Sequence, residues 1–357
     1  MESVKFHTLI YDFINRYSCR YENFPNLMKR LLLFLLFFSF AFSASGNAVD
    51  SLKTDNDVLK FVLKVDSNLT YKGESQVTIV PTDTLLKLIK CNDVARQWSV
   101  KAWQKVDFNR DGRTDLLVTL KWYNVFHVFV VIDKGDNLFK ALDLTRGWLT
   151  GENCQLAWPI KVADKQMLAF YSRTYIYEGK VRDGEWKWRT ELKTDTLVYL
   201  YDDFIEYNPK VKNYAIRSIS INSRPTAWPG PEYTANIQAD GKAAYSAFKF
   251  KSESGYFTGK ISTNKLAELK SLLDYIQVKK LKDDYQAQWT DDQAVDYEIV
   301  FEDGTVKKIN DYGTIGTFGL RRLYSFLLDL RQSEYWEPMR IPKSIPRVEL
   351  PHVNKLH

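Results

Sequence analysis

The chain has 357 residues, 45% apolar and 26% charged. That composition excludes a disordered or fibrous protein and leaves room for two domains of ordinary size. Lys and Arg number 50 against 44 Asp and Glu, a formal net charge of +6. So mild a balance excludes a dedicated nucleic-acid binder, which concentrates basic residues on one face.

The first feature in chain order is Met28-Lys29-Arg30 followed by an unbroken apolar run, Leu31 to Phe42, and then small residues from Ser43 to Ala48. A short basic region, an apolar stretch and small residues have the layout of a secretory signal peptide. The run is about a dozen residues, whereas a membrane-spanning helix needs ~20, so no permanent span is expected in the mature chain. The signal peptide is placed at 28–46, with cleavage after Ser43 or within the next few small residues. Residues 1–27 are mixed and aperiodic. They read as an upstream extension, with translation starting at Met28.

From Val49 to about residue 205 the chain reads as mostly strand. Lys60–Val65, Gln76–Val80, Leu116–Trp122, Val125–Ile132, Met167–Tyr177 and Thr196–Tyr201 are rich in β-branched and aromatic residues. Asp133-Lys-Gly-Asp136 and Arg182-Asp-Gly-Glu185 read as hairpin loops. One short helix is expected at Thr82–Lys90, with Asp83 in its first turn and Leu85, Leu86 and Ile89 on one face. Downstream of the signal two cysteines remain, Cys91 and Cys154. An even pair in an exported protein can form a disulfide or stay as two buried thiols, and spacing alone leaves both open.

The strongest constellation is Asp107-Phe-Asn109-Arg-Asp111-Gly112-Arg113-Thr-Asp115. Side-chain oxygens fall at loop positions 1, 3, 5 and 9, with Gly at position 6. Calcium takes six to eight hard oxygen ligands, so it needs several carboxylates on one tight turn. The expected ligands are Asp107, Asn109, Asp111 and Asp115 through their side chains and Arg113 through its backbone carbonyl. The side chains of Arg110 and Arg113 are expected to face solvent. Strands flank the loop and position 12 is Val118, so it is not an EF-hand. The stretch resembles the calcium loops of FG-GAP and related propeller-type repeats, as in integrin α-subunits. The resemblance covers about Val106 to Thr119 and lacks the Phe-Gly and Gly-Ala-Pro parts of the repeat. It implies a calcium-clipped hairpin, a partial propeller-like element rather than a complete propeller.

The polar stretch Asp202–Lys212, with Asn208-Pro209, reads as a domain boundary. Beyond it, Ile216–Asn222 is expected as a strand and Pro225–Pro231 as a Pro-rich loop. Tyr233–Gln238 and Ala243–Lys251 form a hairpin around Asp240-Gly241, and Val295–Phe301 and Thr305–Ile309 form another around Asp303-Gly304. Helices are expected at Asn264–Ile276 and Phe318–Arg331, each with leucines at helical spacing. The expected fold class is a mainly β N-terminal domain, 49–205, followed by a small α+β domain, 213–336, with two helices on an antiparallel sheet. Residues 337–357 read as an extended tail.

Several residues of the second half, among them Tyr233, Asp240-Gly241, Tyr245, Gly259-Lys-Ile-Ser262, Thr290-Asp291 and Asp311-Tyr312-Gly313, resemble an uncharacterised domain of unknown function from exported bacterial proteins. That domain usually carries Cys-Phe-Gly-x-Cys-Pro-x-Tyr before its strand. Here the span reads Thr226-Ala-Trp-Pro-Gly-Pro231-Glu-Tyr233, without either cysteine. The resemblance implies an α+β fold and brings no activity.

Candidates for catalysis are few. Asp291, Asp292 and Asp296 are placed for paired-carboxylate glycoside hydrolysis, but read better as a solvated acidic loop before a strand. His127 lies among apolar residues of a strand, and His352 and His357 fall in the tail, which leaves a Ser-His-Asp arrangement little to work with. Trp186-Lys-Trp188 puts two indoles on one strand face, as core or as a stacking surface for sugars or a protein. The resulting expectation is an exported calcium-binding protein with a binding or scaffolding role in the cell envelope or outside the cell, with an unknown protein or glycan as partner. The alternatives are a carbohydrate-active hydrolase and an inhibitor or immunity-type partner of another exported protein.

Overall fold

A computed structural model describes residues 47–146, 154–180, 186–225, 231–248, 254–287 and 289–339. The expected upstream extension, signal peptide, Arg182–Glu185 loop and tail beyond Met339 lie outside them. So do most of the Pro225–Pro231 loop and the side chains of Trp186 and Trp188. The chain divides into two compact units, Met1–Ser51 and Leu52–His357. In the first, Asn47–Ser51 is a turn in which the Asn47 carboxamide oxygen accepts the Val49 N–H at 2.9 Å.

The second unit opens with a helix, α1 (Asp55–Val65), where the sequence reading placed a strand at Lys60–Val65. Two local signals outweigh the β propensity of Phe61, Val62 and Val65. Thr54 and Asp57 form a reciprocal capping box, satisfying backbone donors at the helix start. Val58 and Val62, one turn apart, are the buried positions. Strands β1 (Thr70–Tyr71) and β2 (Glu74–Ser75) make a minimal hairpin. Gln76–Val80 contributes one bridge, Thr78 to Lys121, in place of the expected strand. Helix α2 (Thr82–Leu88) falls where it was expected, and a further short helix, α3 (Asn92–Gln97), follows at once.

Two four-stranded antiparallel meanders come next. The first is β3 (Trp103–Val106), β4 (Asp115–Trp122), β5 (Val125–Gly135) and β6 (Leu138–Asp143). The second is β7 (Cys154–Val162), β8 (Lys165–Lys180), β9 (Trp186–Leu200) and β10 (Asp203–Glu206). Three of the turns are two-residue connections with consecutive positive φ: Asp136-Asn137, Ala163-Asp164 and Tyr201-Asp202. Such pairs match the right-handed twist of hairpin strands, and Asn and Asp tolerate them. The meanders share a core of Val128, Val130, Ile132, Leu168, Phe170 and Phe204, into which Phe318 inserts. Asp202 ties them at the edge: its carboxylate takes Lys134 Nζ at 2.5 Å and Lys140 Nζ at 2.6 Å. Burial raises its pKa, but these two ammonium groups and the Tyr199 hydroxyl outweigh that and hold it well below the ordinary range.

Cys91, at the start of α3, and Cys154, first in β7, are bonded, with Cα atoms 5.9 Å apart. Both are buried among Leu85, Ile89, Val100 and Leu156. The bridge therefore pins the α2–α3 pair onto the second meander.

The second half builds one eight-stranded sheet. Its members are β11 (Ile216–Arg224), β12 (Tyr233–Gln238), β13 (Lys242–Ala247), β14 (Gly255–Lys260), β15 (Asp284–Gln286), β16 (Ala294–Phe301), β17 (Val306–Tyr312) and β18 (Trp336–Pro338). Their order is β15-β17-β16-β11-β12-β13-β14-β18. Both expected hairpins are present, with Gly241 and Gly304 at positive φ. The short edge strands β15, parallel to β17, and β18 carry too few residues to show a period. The strand β18 includes the first residues of the expected extended tail. Helices α4 (Thr263–Tyr275) and α5 (Phe318–Ser333) cover one face, packing Leu269, Leu272, Leu323 and Leu327 on Ile219, Ile221 and Ile299. The same core takes in Met167, Val198 and Ile205, so residues on both sides of 202–212 share it. None of these sheets closes into a barrel, and no helix among the described residues is long and apolar enough to cross a membrane.

Candidate functional site

The 107–115 loop joins β3 to β4. Gly112 sits at φ +81 with open space around it, a backbone that only Gly adopts without cost. Each acidic side chain folds onto the loop. Asp107 accepts the N–H of Arg110 at 2.7 Å and of Gly112 at 3.1 Å. Asn109 Oδ1 accepts the Asp111 N–H at 3.1 Å, and its carboxamide donates to Asp111 Oδ2 at 2.7 Å. Asp111 Oδ1 accepts the Arg113 N–H at 2.9 Å. Asp115, wholly buried, accepts the N–H of Phe108 at 2.8 Å and of Asp133 at 2.9 Å. Burial pushes its carboxyl up to about 6, and the charges of Asp111 and Asp107 add to the rise.

The Arg113 side chain reaches two carboxylates. It is 41% exposed, and its guanidinium also pairs with the carboxylate of Asp111 and lies 3.5 Å from that of Asp133. Asp133 is a residue the sequence reading passed over as part of a hairpin loop. It is buried, and its Oδ1 accepts the Gly135 N–H at 2.6 Å. Only the β4–β5 register, Leu116 opposite Val131, brings it beside Asp115.

The loop thus gathers three carboxylates, a carboxamide and the Arg113 carbonyl into nine residues. These are hard oxygen donors with enough negative charge for a divalent cation, the donor set that suits calcium. Each carboxylate oxygen has about two lone-pair sites, so one backbone hydrogen bond leaves capacity for a metal. In their present rotamers the carboxylates face backbone N–H groups. No group of three or more His, Cys, Asp or Glu side chains converges at metal-binding distance among the described residues.

Each of the catalytic candidates has its own partner. Thr290 donates to Asp291 at 3.2 Å, and Trp289 Nε1 donates to Asp292 at 2.7 Å. Asp296 pairs with Arg224 and accepts the Asn310 carboxamide at 2.6 Å. His127 lies 3.6 Å from Asp143 and packs beside Trp122.

A half-buried acid sits at the start of α5. Glu206 on β10 accepts the N–H groups of Phe318 and Gly319 at 2.7 and 2.9 Å, so an internal carboxylate fills the positive helix terminus. Asp311 lies nearby and accepts the Gly316 N–H at 2.9 Å. A Cβ on Gly316 would stand 2.6 Å from Asp311 Oδ2, so a larger residue there would have to displace that carboxylate.

Burial pushes Asp311 up to about 6, against the pull of the Gly316 N–H and Arg146. The folded state therefore holds this proton more tightly than the unfolded chain, whose value lies near 3.8. The stabilisation is full below that value and is lost as pH rises through about 6, leaving a cost of about 3 kcal/mol at neutral pH. Asp311→Asn keeps the acceptor and removes the charge. Denaturant midpoints are expected to show the variant more stable by that amount at pH 7.5 and level with the parent at pH 4. An equal difference at both values would refute the assignment.

Residues 217–331 match DUF6438, a domain of unknown function. No curated protein and no solved structure matches the chain. The DUF6438 region runs from β11 through α5 and so contains most of the eight-stranded sheet and both of its covering helices. The 107–115 loop lies outside it.

Proposed function

We propose that this is an exported protein whose β-rich N-terminal half holds one structural calcium ion in the 107–115 loop, and that it binds or scaffolds a partner in the cell envelope or outside the cell. The observation that carries the metal reading is Asp115. A wholly buried carboxylate, crowded by the charges of Asp107 and Asp111, is costly unless a cation offsets it. Asp107, Asn109, Asp111 and Asp115 would hold the ion with side-chain oxygens and Arg113 with its carbonyl. The ion would supply charge neutralisation and clip β3 to β4. Two consecutive four-stranded meanders, each with the strand count of a propeller blade, support a partial propeller-like reading of 49–205. The α+β division would then span 213–336. The basic and apolar layout of residues 28–46 supports export, as does a disulfide, which persists in oxidising compartments.

Thermal unfolding in calcium and in chelator tests the metal. Extracellular sites often have Kd ~10⁻⁴ M, so ~1 mM calcium is expected to stabilise by about 1.4 kcal/mol, roughly 3 to 6 °C. The shift should vanish in Asp107→Ala. Identical melting in calcium and chelator would overturn the calcium reading.

A further inference from the structure

Among the described residues, the eight-stranded sheet has helices on one face only. The other face lines a groove of about 980 Å³, at the upper end of ordinary ligand sites. Pairing registers align Asn310, Asp296, Asn222, Thr234, Ser246 and Tyr256 across six adjacent strands. At the usual strand spacing that row is about 24 Å long.

This face departs from what a solvated sheet selects. Asn and Asp are depleted in strands, yet Asn222, Asn236, Asp296 and Asn310 occupy it, on β11, β12, β16 and β17. Their neighbours on the same strands, such as Ile221, Ile237, Tyr297 and Ile309, point into the core and are buried. Local preference is therefore given up on one face alone, the pattern expected where function sets the residues. The amides and hydroxyls are held in position. Thr234 and Ser246 hydroxyls meet at 2.6 Å, and Asn236 donates to Ser220 at 2.7 Å.

The charges lining the groove are paired: Asp296 with Arg224 and Glu298 with Lys308 at 3.1 Å on the face itself, and Asp283 with Lys307 at its edge. At one end the row meets an apolar platform. Tyr256 and Phe248 pack edge to face at 5.4 Å, both 44% exposed, beside Met339 at 49%.

From these features we infer that the open face is a binding site for an uncharged, hydroxyl-rich oligosaccharide. A row of neutral donors and acceptors matches sugar hydroxyls, and an exposed aromatic ring stacks on the C–H face of a pyranose. Self-neutralised charges give no hold on a polyanion. The site is separate from the calcium loop, so its binding should persist in Asp107→Ala, and either reading can fail without the other.

Calorimetric titration of the full chain with cellohexaose, chitohexaose and mannohexaose tests the inference. At least one is expected to bind, with affinity falling about tenfold or more in Asn222→Ala and in Tyr256→Ala. Thermal midpoints of both variants should match the parent, which separates lost contacts from lost fold. Binding of none of the three, or binding indifferent to both substitutions, would overturn it. So would cross-linking of residues 340–357 into the groove or dimerisation through this face, either of which would identify a different occupant.

Discussion

Loss of the Cys91–Cys154 bridge is expected to lower stability by about 4 kcal/mol, because it closes a loop with a sequence separation of 63. The cross-link restricts the unfolded chain, and the effect grows with the logarithm of loop length. The enclosed segment includes α3, the whole first meander and the 107–115 loop. Without the bridge, α2 and α3 keep their apolar contacts around Leu85, Ile89 and Val100, and the Thr82 hydroxyl still accepts the Ala102 N–H. Guanidinium unfolding with and without a thiol reductant measures the difference, and the double variant Cys91→Ala, Cys154→Ala should reproduce the reduced midpoint. Superimposed curves would mean that the two thiols are not joined.

Phe318→Ala is expected to cost a comparable amount, about 4 kcal/mol, the range for a buried aromatic truncated to Ala. Phe318 is fully buried at the first residue of α5. Its ring meets Phe170 of the second meander edge to face at 5.1 Å. The guanidinium carbons of Arg146 and Arg321 lie 4.7 and 5.0 Å from its centroid. Truncation would open a cavity where the meanders meet the helix, and would leave two cations without their aromatic partner. The denaturant midpoint should fall while the β-sheet circular dichroism persists. A loss below about 1 kcal/mol would show that the site collapses around the gap and that Phe318 does not join the two halves.

The long elements were legible because their signals are local. Leu266, Leu269, Leu272 and Leu273 repeat at helical spacing, and α4 and α5 form within a residue or two of expectation. Asp240-Gly241 and Asp303-Gly304 mark hairpins because few residues other than Gly adopt their φ. At Lys60–Val65 the β-branched content favours a strand, whereas the chain forms a helix. The capping box six residues upstream, Thr54 with Asp57, was the signal that decides for a helix. The candidate metal loop was equally local, since its five expected ligands fall within nine residues.

What the chain by itself determined is therefore what lies within one turn or one hairpin: the apolar periods, the caps, the positive-φ corners and the Asp107–Asp115 loop. Tertiary structure alone decided which distant residues meet. It set Asp133 beside Asp115 through strand register, and brought Cys91 to Cys154 where spacing left the pairing open. It placed Met167 and Ile205 in one core with Leu327 across the expected domain boundary, and aligned six polar side chains from six strands into a single row. These outcomes depend on register and on which faces are buried. A one-residue slip of a strand would send every side chain to the opposite face, so no window of sequence contains them.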